Sequence, residues 1–190
     1  TVVMPGWIGG SGWGGVAANP EKGVIFIKAT NKPSLAMLIS SDSQVGFRRD
    51  TASSSIEKSV SLRLPPYRSW WFGRSRNTRI PITKPPYGTL SAYQLPAGKR
   101  LWQVTLGDLP GVRTHPWLRE LSLPPLGVPG APGGVATAGG LIFITGGGSV
   151  LYAIDQLDGT VKWSAKLGAI GYSNPMTYRA RDGRQYVIVA

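Results

Sequence analysis

The sequence contains no cysteine, so it has neither a disulfide framework nor a thiolate metal site. Histidine occurs once, and a single imidazole builds neither a catalytic triad nor a zinc site. Flanked as Arg113-Thr114-His115-Pro116-Trp117, it reads as a loop residue. The nine acidic residues show no paired-carboxylate or calcium-loop spacing, and Asp155, Asp158 and Asp182 are explained by turns. No apolar run approaches the roughly eighteen residues of a membrane span. No initiator Met and no basic-plus-apolar leader stands at Thr1, so either a leader has been removed or the chain starts inside a longer protein.

Charged residues make up 16% and apolar residues 42%, a balance that suits a globular domain with a core rather than a disordered chain. The totals of 26 Gly, 16 Pro and 7 Trp predict many short strands, tight turns and few helices. A net charge of +12 raises the question of an anionic partner. Much of that charge (Arg48, Arg49, Lys58, Arg63, Arg68, Arg74, Arg76, Arg79) lies in one Ser- and Pro-containing stretch, with no nucleic-acid motif beside it. It reads as a solvated insertion, with no nucleic-acid partner.

Internal repetition carries the most information. Residues 90–107 align without a gap on residues 151–168, an offset of 61 positions (151 minus 90). Each copy reads as a strand, a turn closed by Gly98 or Gly159, and a second strand with apolar side chains at alternate positions. That pattern is an outer hairpin. Gly14-Gly15-Val16-Ala17 followed by Gly23-Val24-Ile25-Phe26-Ile27 recurs as Gly133-Gly134-Val135-Ala136 followed by Gly140-Leu141-Ile142-Phe143-Ile144. A looser copy runs from Pro175-Met176-Thr177-Tyr178 to Tyr186-Val187-Ile188-Val189, and these are inner hairpins.

An inner plus an outer hairpin makes a four-stranded meander. Two such units and half of a third predict an all-β partial β-propeller of about two and a half blades over residues 1–190. The expected parts are an inner hairpin at 13–30, a basic insertion at 31–86, an outer hairpin at 88–107, a second blade at 133–168 and the start of a third at 173–190. A blade cannot bury both faces alone, so further blades are expected as partners. Within the insertion, Trp70-Trp71-Phe72 with Arg68, Arg74 and Arg76 would either stack bases or fold back over the propeller face.

The pattern Ala-x-Asp-x-x-x-Gly-x-x-x-Trp, complete at Ala153, Asp155, Gly159 and Trp163, resembles the tryptophan-docking motif of pyrroloquinoline-quinone-dependent dehydrogenases. The copy at Ala92, Gly98 and Trp102 has Gln94 at the acidic position. Trp13-Gly14-Gly15-Val16, Pro85-Pro86-Tyr87-Gly88-Thr89-Leu90 and Pro175-Met176-Thr177-Tyr178 with Gly183-Arg184-Gln185-Tyr186-Val187 extend the likeness, chiefly to the membrane-associated glucose dehydrogenase branch. The resemblance implies an eight-bladed propeller with Trp102 and Trp163 as docking residues between blades. It implies pyrroloquinoline quinone in a central funnel, a Ca²⁺ ion beside it, and an Asp base, with the catalytic groups expected upstream of Thr1 and no metal ligand in this chain.

The candidate cofactor-contacting positions are Gly12, Trp13 and Gly133. Relatives carry Asn where Gly12 stands, and alcohol-oxidising relatives present a Trp near Gly133, so Gly133 favours the sugar branch. The expected function is oxidation of a sugar or alcohol, with ubiquinone or a cytochrome as electron acceptor, on the periplasmic side of an inner membrane. The chain alone is expected to be inactive. The alternative is a non-catalytic propeller scaffold that binds partner proteins, of the outer-membrane assembly type.

Overall fold

A computed structural model describes residues 2–6, 9–35, 39–40, 47–48, 71–72, 80–81 and 83–190. In chain order its strands are β1 (Val2–Val3), β2 (Val16–Asn19), β3 (Val24–Thr30), β4 (Ser34–Leu35), β5 (Ile39–Ser40), β6 (Phe47–Arg48), β7 (Trp71–Phe72), β8 (Ile80–Pro81), β9 (Gly88–Gln94) and β10 (Lys99–Thr105). They continue with β11 (Gly134–Ala136), β12 (Leu141–Ile144), β13 (Val150–Asp155), β14 (Val161–Lys166), β15 (Met176–Arg179) and β16 (Gln185–Ile188). A single helical turn, α1 (Pro110–Arg113), lies between β10 and β11.

The strands assemble into successive antiparallel sheets. One antiparallel sheet has the order β2-β3-β9-β10, the next has the order β11-β12-β13-β14, and β15 pairs with β16 as a two-stranded sheet. The first sheet closes although a long stretch of chain separates its middle strands: Val24 pairs with Gln94 and Thr30 with Gly88. Three two-residue ladders, β1–β4, β5–β6 and β7–β8, accompany that stretch. The expected base-stacking or face-covering group of Trp70, Arg68, Arg74 and Arg76 lies outside the described residues.

Alternation along β3 explains why the sheets stack. Val24, Phe26, Lys28 and Thr30 are buried while the residues between them are half-buried, which is the period-2 signature of a strand with one fully covered face. The main core gathers Ala17, Val24, Phe26, Leu90, Ala92 and Leu106 of the first sheet with Ile142, Ile144 and Ile154 of the second. The core is therefore the seam between two sheets and not the interior of either one. A smaller cluster of Tyr87, Val112 and Leu126 lies beneath the connection from β10 to β11.

Both outer hairpins carry a β-bulge at the same place. The β9–β10 register slips between Arg100 and Trp102, and the β13–β14 register slips between Trp163 and Val161, opposite Ala153 and Ile154. Each bulge leaves one residue unopposed, Leu101 or Lys162, immediately before the indole. An extra residue of this kind re-aims the side chain that follows it. In the first hairpin the re-aimed Trp102 points across the seam into the second sheet.

Candidate functional site

Trp102 shows how neighbouring sheets are held. Its indole Nε1–H donates to the carbonyl of Gln156 at 3.1 Å, and its ring stacks on Phe26 with centroids 6.0 Å apart. Gly159 must be glycine here, because a Cβ at that position would stand 2.8 Å from the indole Cε3 and the backbone φ is +77°. A buried indole is stabilised when its N–H finds an acceptor. Gln156 also ties the seam through its side chain: Asn19 Nδ2 donates to Gln156 Oε1 at 2.7 Å, while Gln156 Nε2 donates to the carbonyls of Thr137 and Leu141. Trp163 occupies the corresponding position in the second sheet but remains 52% exposed, with no corresponding contacts among the described residues.

The sheets come closest at the start of their first strands. A Cβ on Gly14 would lie 2.1 Å from the amide nitrogen of Gly133, and one on Gly133 would lie 2.3 Å from the carbonyl oxygen of Gly14. Only glycine permits this backbone crossing. Gly12 packs on Ala131, 3.0 Å from where its Cβ would be. Asn174, just ahead of β15, spans the crossing: its Oδ1 accepts from the Gly133 amide at 2.7 Å, and its Nδ2 donates to the Gly14 carbonyl at 2.9 Å. Three strand starts, 160 residues apart in sequence at the extreme, therefore meet at one point, and Trp13 leaves it with 70% of its surface exposed.

The structure thus gathers Gly12, Trp13 and Gly133 in one place. Asn174 escaped the sequence reading although it directly precedes the Pro175-Met176 pair that marks the third hairpin; a polar residue at a strand start was the available signal. Lys28 escaped too, and its signal was a charged residue at an inward position of β3. His115 lies in the β10–β11 connection as expected, but it is buried. Its Nδ1 accepts from the Trp117 amide at 3.2 Å, and its Nε2 has no partner.

The turn acids serve as turn acceptors: Asp155 Oδ1 receives the Leu157 amide, Asp158 Oδ1 the Thr160 amide, and Asp182 Oδ1 the Arg184 amide. Asp108 is held below its ordinary range although burial pushes it upward. Hydrogen bonds from Arg113 and from the Leu109 and Leu126 amides outweigh that cost, with the Arg113 charge adding to them.

The strand crossing provides an exposed indole, a glycine-lined backbone and an amide whose Nδ2 has a second N–H beyond the one used for Gly14. Those features suit one side of a planar ring with polar edges. Among the described residues, no group of three or more His, Cys, Asp or Glu side chains could hold a metal ion.

Successive antiparallel sheets, docked by an indole and meeting at glycine-rich strand starts, define the class as a tryptophan-docked β-propeller. The family model for the PQQ glucose/ethanol/alcohol dehydrogenase β-propeller domain matches residues 1–187. The chain belongs to that family. It is 30% identical to a probable quinate dehydrogenase (quinone) of Xanthomonas campestris pv. juglandis, covering 100% of this chain and 24% of that protein. It is 32% identical to the glycerol dehydrogenase large subunit of Gluconobacter oxydans strain 621H, covering 99% and 26%. Among solved structures, the quinohemoprotein alcohol dehydrogenase ADHIIG of Pseudomonas putida HK5 superposes with a TM-score of 0.63 at 17% identity, over 100% of this chain and 23% of that one. That likeness shows the shared fold. The chain spans about a quarter of the length of the curated relatives it matches.

Proposed function

We propose that these blades form part of a quinoprotein dehydrogenase that oxidises a polyhydroxylated substrate, a sugar or a related alcohol, with pyrroloquinoline quinone as the electron-accepting group. The observation that carries this reading is the meeting of Gly12, Trp13, Gly133 and Asn174 at one strand crossing, in a chain matched by the quinoprotein propeller family along residues 1–187. When bound, the quinone accepts the electron pair leaving the substrate alcohol carbon. The part played by this chain is to place and shield. The Trp13 indole offers a flat apolar face for a ring, the glycines let backbone approach it, and Asn174 has one N–H left to donate to a polar edge.

Ca²⁺ ligands and the carboxylate base belong, in this reading, to parts of the protein other than the described residues. The relatives favour a polyol over a simple primary alcohol, since quinate and glycerol dehydrogenases are among them, and Gly133, with the Gly14 carbonyl where a side chain would start, sends no bulky group toward the substrate. A periplasmic location, with ubiquinone or a cytochrome receiving the electrons, completes the reading. No feature of the site favours the partner-binding scaffold.

The test is quinone titration of the full-length protein, followed by Trp fluorescence and by turnover of aldoses against short primary alcohols. Replacing Trp13 with Ala is expected to weaken quinone binding about tenfold, or ~1.4 kcal/mol. Unchanged affinity in W13A would remove Trp13 from the site, and failure of the full-length protein to bind quinone would end the reading.

A further inference from the structure

Lys28 is a lysine on the buried face of β3, and only 3% of its surface reaches solvent. Buried lysines are costly because the ammonium loses its hydration, and such groups are normally paired with a carboxylate. Among the described residues no carboxylate answers it. The described elements packed against Lys28 turn no titratable side chain toward it: Leu90 is its partner on β9, the segment 128–130 reads Val-Pro-Gly, and the turn 145–148 reads Thr-Gly-Gly-Gly.

Instead, all three ammonium protons are used. Nζ donates to Thr30 Oγ1 at 3.0 Å, to the Val128 carbonyl at 3.0 Å and to the Gly130 carbonyl at 2.9 Å. The Thr30 hydroxyl is equally committed, donating to the Gly130 carbonyl at 2.9 Å and accepting from the Gly130 amide at 3.1 Å. The Gly130 carbonyl thus receives two protons, one from each side chain. This arrangement satisfies every donor of a protonated lysine and both functions of a hydroxyl.

We propose that Lys28 and Thr30 are positioning residues that clamp the Gly130 carbonyl of the second blade, and through it set where Gly133 crosses Gly14. Gly130 lies three residues before Gly133, with Ala131 packed on Gly12 and Pro132 between, so a shift at Gly130 passes directly to the crossing. The functional meaning of that crossing rests on the quinone reading above; the clamp itself does not.

The proton inventory makes the clamp sensitive to pH. Burial lowers the Lys28 ammonium to about 8. A neutral amine has two N–H donors and a lone pair, so it cannot serve three acceptors. Either one carbonyl faces the lone pair, or the Thr30 hydroxyl turns its proton from Gly130 to Nζ. Both outcomes alter the hydrogen bonding of the 128–130 carbonyls.

The test is NMR titration of the full chain between pH 6.5 and 11, following Lys28 Cε, the Gly130 carbonyl carbon and the Gly133 amide. The expected result is one shared midpoint near pH 8 for all three signals. In Lys28→Met the Gly130 and Gly133 signals should become pH-independent. In Thr30→Val the remaining two donors of a neutral amine suffice for Val128 and Gly130, so the Gly130 response should shrink at least severalfold. A Lys28 midpoint above 10, or Gly130 and Gly133 signals flat through the Lys28 titration, would overturn the proposal, and the wild-type titration decides this even if a variant fails to fold. Quinone binding by the full-length protein, measured separately, decides the cofactor reading without touching this result.

Discussion

Trp102 and Trp163 stand at the same repeat position but in different surroundings, and that difference is measurable. Trp102 stacks on Phe26 and donates to Gln156, whereas Trp163 is half in solvent. Trp102→Ala is expected to destabilise this chain by about 3–5 kcal/mol, and Trp163→Ala by less than about 1 kcal/mol. Denaturant unfolding checks both, and equal losses would contradict the docking assignment. Both indoles were visible in the repeat. What the sequence could not show was which of them has a receiving turn within this chain. Asn174, Gln156 and Lys28 were invisible for a related reason: their partners lie 41, 137 and 100 positions away, and no local pattern records such pairs. Lys28 also carries a thermodynamic prediction. Its folded value of about 8 lies below the usual 10.5, so the unfolded chain holds the proton more tightly, and stability should rise as pH goes from about 8 to 10.5. In Lys28→Met that rise should be absent.

At the level of elements, the hairpins and their order were legible because period-2 alternation and glycine turns are local signals. The bulges were not, since a gapless alignment of the two copies does not reveal that both skip a partner at the same point. Deleting Leu101 should restore plain pairing and turn Trp102 away from the second sheet, giving red-shifted and more quenchable indole emission; unchanged emission would show that the bulge does not aim the ring. Gln94 replaces the acid of the motif and works in the opposite sense. Asp155 accepts from the Leu157 amide, whereas Gln94 Nε2 donates to the carbonyls of Lys22 and Gly23.

The β10–β11 connection has its own fastening. The Asp108 carboxylate takes the Arg113 guanidinium and the Leu126 amide, and Arg113 donates to the carbonyls of Leu123 and Pro124. The folded carboxyl titrates below its usual 3.8, so its contribution is present above that value and lost as pH falls through the folded one. Hydrogen exchange at the Leu126 amide should therefore accelerate, beyond the intrinsic change, in acid; Asp108→Asn should remove the acid dependence.

At the scale of the molecule, the distribution of apolar surface speaks for a larger assembly. Met176 and Tyr178 are exposed beside their cross-strand partners Ile188 and Tyr186, and Val161 and Trp163 of β14 are exposed as well, apolar surface of the kind that adjoining blades cover in a propeller. The net charge of +12 belongs largely to residues of the 31–86 stretch, so it informs solubility and encounter more than the fold. The architecture was readable from the repeat, while the chemistry was not, because the nine acidic residues show no spacing that points to a base or a cation site. By the same account, the 190-residue chain supplied with quinone and Ca²⁺ should show no sugar oxidation.

The central claim is that the crossing of Gly12–Gly14 with Gly133, bridged by Asn174, forms one wall of the quinone site. A structure of the full-length protein with pyrroloquinoline quinone bound tests it most directly. The account predicts quinone atoms within about 4 Å of Trp13, Gly133 or Asn174; a quinone seated away from all three would contradict it.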